Sequence, residues 1–279
     1  MPTNYTSLVK RYREQPTTEV FAHFGYRGDE GESWETPYEK LARMAKPEEW
    51  NYQRSQFKRP GQAFPILTSY VNYTFLRLQQ LDRISYSADD SRACFNTGLQ
   101  TPNEKDIFVT FFRNKNAEER EQPTWTHFGF FDSYSERLAD FRPLPEIATY
   151  IRDPAELVFD TSYEFEINFD HIFDQNRDRL PEVLRDNSTL AISAIKGSLD
   201  LLKQKIIRNY KIAIPHWHDN KMQLLLPLNL TSENEADLAL VADKDSTGRI
   251  YRIRTVLTMD MAYVDARLIT RPDREWLNP

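Results

Sequence analysis

A few polar and charged residues stand inside otherwise apolar stretches, and a buried polar group must find a partner or a ligand. His171 belongs to Asp170-His171-Ile172, closely followed by Asp174, Asn176 and Arg179. On a helix, His171 and Asp174 share a face. A carboxylate there fixes the tautomer of a histidine acting as general acid or base, and the same histidine serves equally as a satisfied packing residue. Lys211 interrupts the apolar run Tyr210-Lys211-Ile212-Ala213-Ile214, and Gln223 opens the next one. A lysine so placed is a point charge for a phosphate or a snorkelling surface residue. Arg252 and Arg254 alternate with Tyr251 and Ile253, giving two guanidinium forks for phosphates or a solvated strand face. Asp260, Tyr263 and Arg267 fall on one helical face, as a site or as a structural lock. Asn96, ahead of Thr97-Gly98, is a turn residue serving the backbone or a ligand contact.

These types suggest a division of labour. His171, Asp174 and Asp260 are the candidates for acid–base work. Asn96, Asn176, Arg179, Lys211, Gln223, Arg252, Arg254, Tyr263 and Arg267 are the candidates for binding a ligand. The pair in His216-Trp217-His218-Asp219 would face one way on a strand, but a metal centre needs three or four ligands and no third histidine stands at a useful spacing. No metal ligand is therefore assigned and no cofactor is expected, with a divalent ion left open. The chain has no Gly-x-Ser-x-Gly elbow, no Gly-Lys-Ser/Thr phosphate loop and no His-Glu-x-x-His. Serine-elbow hydrolases, common NTPases and zincins are disfavoured. Only 8 Gly are present, and the densest group, Gly25 to Gly31, carries acids that a phosphate cradle would not tolerate, so it reads as a solvated loop.

The elements that position these residues are partly legible. Thr36-Pro37-Tyr38-Glu39 forms a capping box with Pro at the first helical position and predicts a helix to about Met44. Leu67, Tyr70, Val71, Phe75 and Leu78 recur at helical spacing and predict a helix over 62–80. Short β-branched and aromatic runs at 84–86, 93–95, 107–112 and 125–131 read as antiparallel strands. Asp153 caps a short helix, 168–176 reads as another, and Ser188 caps a long one with Ala191, Ile192, Ile195, Leu199, Leu202 and Ile206 on its buried face. Strands follow at 210–215, 223–230, 238–242 and 250–258, with a turn at 243–248 and a closing helix over 259–269. The order implies an α+β fold: a mixed N-terminal part with helices and short antiparallel strands, a long central helix, and a C-terminal antiparallel sheet with a closing helix. Residues 1–34 read as a polar arm and 35–279 as a single α+β domain.

With 279 residues the chain is long enough to bury a core without staples. Its 17 Phe, 14 Tyr and 5 Trp read first as core rings and second as surfaces that stack on bases. A net charge of −6 excludes coating of nucleic acid by bulk charge but leaves room for a local basic groove. Cys94 is the sole cysteine, so no internal disulfide or cysteine zinc site forms. No apolar run is long enough to span a membrane and no signal peptide is recognisable, so a cytoplasmic protein is expected.

Four segments carry a resemblance. They are Phe95-Asn96-Thr97-Gly98-Leu99; Asp170-His171-Ile172 with Asp174, Asn176, Arg177 and Arg179-Leu180-Pro181; Asn209 to Pro215 with Gln223 to Leu228; and Leu257 to Tyr263 with Ala266 to Ile269. Together they resemble the domain of unknown function 3825 family over roughly residues 35 to 277. Members of that family look similar to domains joined to RNA-binding modules of the LOTUS or cold-shock type, which implies work on RNA or nucleotides. The leading expectation is an RNA- or nucleotide-binding protein that contacts phosphates through a basic site at the C-terminal sheet. The alternatives are a phosphoester hydrolase or nuclease with His171 as acid or base, and a protein-interaction scaffold.

Overall fold

The computed structural model describes residues 4–24, 36–51, 64–119, 121–233 and 235–270. The Gly25 to Gly31 group and the first residues of the helix expected over 62–80 lie outside them. The chain divides into two compact units, one containing the described residues up to Thr149 and the other those from Tyr150 on.

In the first unit, Ala22–His23 forms β1, Pro37–Met44 α1 and Pro65–Gln80 α2. Both halves of the Thr36–Glu39 capping box are made, as the residue types require. The strands are β2 (Ser85–Tyr86), β3 (Arg92–Gln100), β4 (Asp106–Arg113) and β5 (Trp125–Asp132), in the order β1-β5-β4-β3-β2. The pairings among β2 to β5 are antiparallel, while β1 joins β5 in parallel. Ile66, Leu67, Tyr70, Val71, Phe75 and Leu78 give α2 its buried face. Aromatic rings cluster in the interior: Phe75–Phe95 and Phe95–Phe111 centroids are each 5.7 Å apart, and Phe21–Phe75 are 4.7 Å apart. On the other face of the sheet, Cys94 and Phe108 lie under Leu138 and Phe141 of the short helical turn Glu136–Phe141. Residues 4–24 are fastened to α2: the Leu8 amide donates to Asn72 at 2.9 Å, and Leu8, Val20 and Phe21 are fully buried.

The second unit contains β6 (Glu164–Ile167), α3 (Phe169–Asn176), α4 (Glu182–Arg185), α5 (Ser188–Arg208), β7 (Ile214–His218), β8 (Lys221–Leu228), β9 (Leu238–Asp245), β10 (Ile250–Thr258) and α6 (Met259–Ala266). Its strand order is β6-β10-β9-β8-β7. Leu224, Leu226 and Leu228 alternate along β8 and pack with Ile195, Leu199, Leu202 and Ile206 of α5 in one core. Gln223 and Leu225 therefore point to the opposite face, the side where α6 packs against β7.

Several expectations need correction. The C-terminal sheet is mixed, not antiparallel, because β6 adds to β10 in parallel, Ile250 opposite Glu164. The N-terminal strands join in one five-stranded sheet, which the parallel β1 makes mixed. The cap of α5 is Asn187, whose Oδ1 accepts the Leu190 amide at 3.0 Å, and not Ser188. Lys211 is not on a strand. Asn209 Oδ1 accepts the Lys211 amide at 3.1 Å and bends Tyr210–Ile212 into a 3-10 turn, since a short amide side chain competes for the backbone. The strand expected over 210–215 begins only at Ile214. Among the described residues, no helix is long and apolar enough to cross a membrane.

Candidate functional site

A cleft of about 720 Å³ opens at one end of the first sheet. Its floor holds Asn96, Asp106 and Phe108, its mouth Lys105 and Tyr134, and its far wall Arg83, Glu146 and Thr149. The local sequence builds the floor. β3 and β4 run in register to Asn96–Phe108, then slip before Gln100–Asp106. At the slip, Gly98 takes φ +73°, and a Cβ there would lie 2.6 Å from the Tyr70 hydroxyl oxygen. Only glycine meets both demands without strain. Asn96 Oδ1 accepts the Gly98 amide at 2.9 Å and Thr97 Oγ1 donates to the Ile107 carbonyl at 2.7 Å. The turn role of Asn96 is thus real, and its amide also faces the cleft. Asn96 Nδ2 donates to Asp106 Oδ2, and Gln100 Nε2 to Asp106 Oδ1, each at 3.2 Å.

The mouth differs in character. The Tyr134 side chain is 76% exposed, unusual for so large a ring. Lys105 Nζ stands 4.4 Å from its centroid, a cation–π arrangement. Arg83 is committed elsewhere, to the Ile147 carbonyl at 2.6 Å and to Glu146 at 2.8 Å. Lys105 has no ion pair among the described residues, so the cleft keeps one cation beside one open ring.

The second unit distributes the other candidates. Arg179 and Asp260 share a cleft of about 490 Å³ at the junction of β10 and α6, with Arg185, Thr231 and Thr258. Arg179 donates to the Val256 carbonyl at 2.6 Å, and Thr255 Oγ1 donates to Asn176 Oδ1 at 3.0 Å. Asn176 and Arg179 therefore tie the end of α3 to β10, and burial lowers the guanidinium's affinity for its proton. Glu182, Glu235, Asp237 and Asp260 line this cleft together with the two arginines. His171 and Asp174 do not line it. His171 is half-buried, its amide donates to Asn168 Oδ1 at 3.0 Å, and Asp174 is exposed. Among the described residues no hydrogen bond joins their side chains.

Of the two arginines expected to form a basic face on the C-terminal sheet, Arg252 is held by carboxylates. Arg252 reaches Asp245 at 2.7 Å and Glu166 at 3.6 Å, and Lys221 reaches Asp243 at 3.8 Å. Arg254 is exposed beside the register shift between Ile253 and Thr255. Lys211 is exposed on its turn, Tyr263 is buried in α6, and Arg267 caps that helix. His171, Lys211, Gln223 and Arg267 sit on four elements, and no described cleft gathers them.

One cluster escaped the sequence. His216 is 1% exposed and stands opposite Gln223 across β7 and β8. Its Nδ1 is 4.0 Å from Oδ2 of Asp265 on α6. Burial pushes His216 down to about 3, helped by His218 and opposed by the Gln223 side chain. Burial pushes Asp265 up to about 7. A signal for Asp265 was present: it stands three residues from both Ala262 and Leu268, on a stripe that is otherwise apolar. The His216 and His218 rings are 6.4 Å apart, and His218 is exposed. Among the described residues, no three His, Cys, Asp or Glu side chains gather as a metal ion would require. Cys94 is buried, and burial pushes its thiol up to about 12, which makes it inert.

A family model described as Domain of unknown function (DUF3825) matches residues 41–276, and the chain belongs to that family. No curated protein and no solved structure matches it.

Proposed function

We propose that this member of the DUF3825 family binds a nucleotide, free or as part of an RNA chain, in the cleft of its first unit. The observation that carries the reading is the Tyr134 ring, open to solvent at the mouth of a polar-floored cleft with the Lys105 ammonium over it. A base stacks on an exposed ring whatever its identity, typically for about 1–3 kcal/mol. Lys105 then meets the phosphate. Asp106 retains lone pairs and Asn96 an amide hydrogen, which suit the donor and acceptor edge of a base or a ribose diol. The volume of about 720 Å³ is within the range of roughly 300–1,000 Å³ usual for small-molecule sites. Resemblance to domains joined to LOTUS and cold-shock modules supports the same class of ligand.

This moves the expected phosphate contact from the C-terminal sheet to the first unit, because Arg252 and Lys221 already face carboxylates. The test is a titration of the full chain with a panel of nucleotides and short single-stranded RNAs, followed by polarisation or calorimetry. Saturable binding that weakens about tenfold or more in Tyr134→Ala is expected, the loss of one stacking contact. Absence of saturation by every nucleotide and RNA at millimolar concentration contradicts the proposal. Appearance of hydrolysis products would instead favour the phosphoesterase alternative.

A further inference from the structure

The face of the second sheet that α6 covers holds polar atoms with nothing to bond. Neither ring nitrogen of His216 has a hydrogen-bond partner, and neither does Gln223 Oε1. Asp265, whose side chain is 25% exposed, approaches His216 Nδ1 at 4.0 Å. Buried polar atoms in folded proteins are nearly always paired, so such a concentration calls for a physical account. A neutral imidazole has one N–H donor and one lone pair, the Gln223 amide has both kinds of group, and an ionised carboxylate only accepts. With the ring N–H turned to the Gln223 oxygen across the β7–β8 pair, the remaining lone pair faces Asp265, and the smallest donor there is a proton on the carboxyl group.

The surrounding charges do not supply an alternative. On β7 the nearby titratable group is His218, which disfavours a charge on His216. On β8, Lys221 lies opposite His218 and is turned to Asp243 of β9 at 3.8 Å. Trp217, between the two histidines, points to the other face, where Tyr150 meets its ring at 5.9 Å. On α6, burial alone acts on Asp265, with no cation contributing.

We propose that His216 and Asp265 hold a single proton between them as a neutral pair, a proton-linked latch that fastens α6 to the edge strand β7. In the unfolded chain at mildly acidic pH, the proton sits on the imidazole and the carboxylate is charged. On folding, the imidazole gives up its proton and the carboxyl group carries one, so two charges are replaced by none and the proton count is unchanged. When the carboxyl group later ionises, a negative charge is left beside an imidazole that burial keeps neutral, and the latch loosens. The strand it covers is a sheet edge with unpaired backbone groups.

The signs follow from linkage. Asp265 rises from 3.8 to about 7, so its contribution is complete below 3.8 and is lost as pH rises to about 7. His216 falls from 6.5 to about 3, so its contribution is complete above 6.5 and is lost as pH falls to about 3. Between 3.8 and 6.5 the two slopes oppose and cancel. Wild type therefore conceals both, and single substitutions reveal each.

The test measures unfolding of the full chain from pH 4 to pH 8 in wild type, Asp265→Asn, His216→Gln and the double variant. Relative to wild type, Asp265→Asn is expected to lose stability as pH falls below 6.5, approaching about tenfold in the folding constant per pH unit. His216→Gln is expected to lose stability as pH rises toward 7, with a similar slope. The double variant should run parallel to wild type. Parallel curves for all four proteins overturn the proposal. Should a variant fail to fold, the Asp265 carboxyl resonance of wild type decides: it titrates near 7 if the latch exists and in the ordinary carboxylate range if it does not. Stoichiometric metal in the purified protein, lost with Asp265→Asn, also overturns it, because a cation would then occupy the proton's place.

Discussion

Each unit contains a mixed five-stranded sheet and one histidine pushed far below its ordinary value by burial, yet the two histidines are in opposite circumstances. In the first unit, His127 lies among Phe24, Phe111 and Phe130, with the Phe24 ring 4.5 Å away, and falls to about 4 with only Lys40 adding to the effect of burial. No acid compensates it. In the second unit, His216 has Asp265 beside it. Asn96 and Asp106 are bonded to one another in the lining of a cleft, whereas neither ring nitrogen of His216 nor Gln223 Oε1 has a hydrogen-bond partner. Satisfied and open polar groups can meet a ligand at little desolvation cost.

The largest effect that would disturb this contrast is at Gly98. Gly98→Ala forces a side chain into positive φ and against Tyr70, and should destabilise the protein by roughly 1–3 kcal/mol in denaturant unfolding. It should also misplace Asn96 and Asp106 and so weaken ligand binding. Next comes His127. Its contribution is present above 6.5 and lost as pH falls to about 4, so His127→Phe should flatten the acid limb of the stability profile. An unchanged acid limb would remove the distinction between the compensated and the uncompensated histidine. The smallest effect is at Arg252. Because Asp245 and Glu166 already hold it and its side chain is 40% exposed, Arg252→Ala should change stability by about 1 kcal/mol or less and leave nucleotide affinity unaltered. Substantially weaker RNA binding in that variant would return the phosphate site to the C-terminal sheet.

Local signals made much of the fold legible. The Thr36–Glu39 box, the proline opening α2 and the apolar face of α5 are determined by residues within a few positions of one another. Two of the edge strands, β1 and β6, were not legible. β1 has two residues and β6 four, and both join their sheets in parallel with segments far away in sequence. That omission hid the acids Glu164 and Glu166 beside β10 and made Arg252 look free. Lys211 misled for a different reason: its apolar neighbours mimic a strand, while the Asn209 cap decides the local geometry. At the candidate cleft, Asn96 announced itself as a polar residue in an apolar strand. Lys105 and Tyr134 did not, because they belong to loops and acquire meaning only when β3, β4 and β5 bring those loops to one end of the sheet.

The central claim is that the first unit's cleft holds a nucleotide between Tyr134 and Lys105, and a salt-resolved binding titration tests it most directly. Wild type, Tyr134→Ala and Lys105→Ala are titrated with the best-bound nucleotide or short RNA at several salt concentrations. Tyr134→Ala should weaken binding about tenfold or more at every salt concentration. Lys105→Ala should weaken it mainly at low salt and reduce the salt dependence by about one phosphate contact. Equal affinity in all three proteins, with the same salt dependence, would contradict the account.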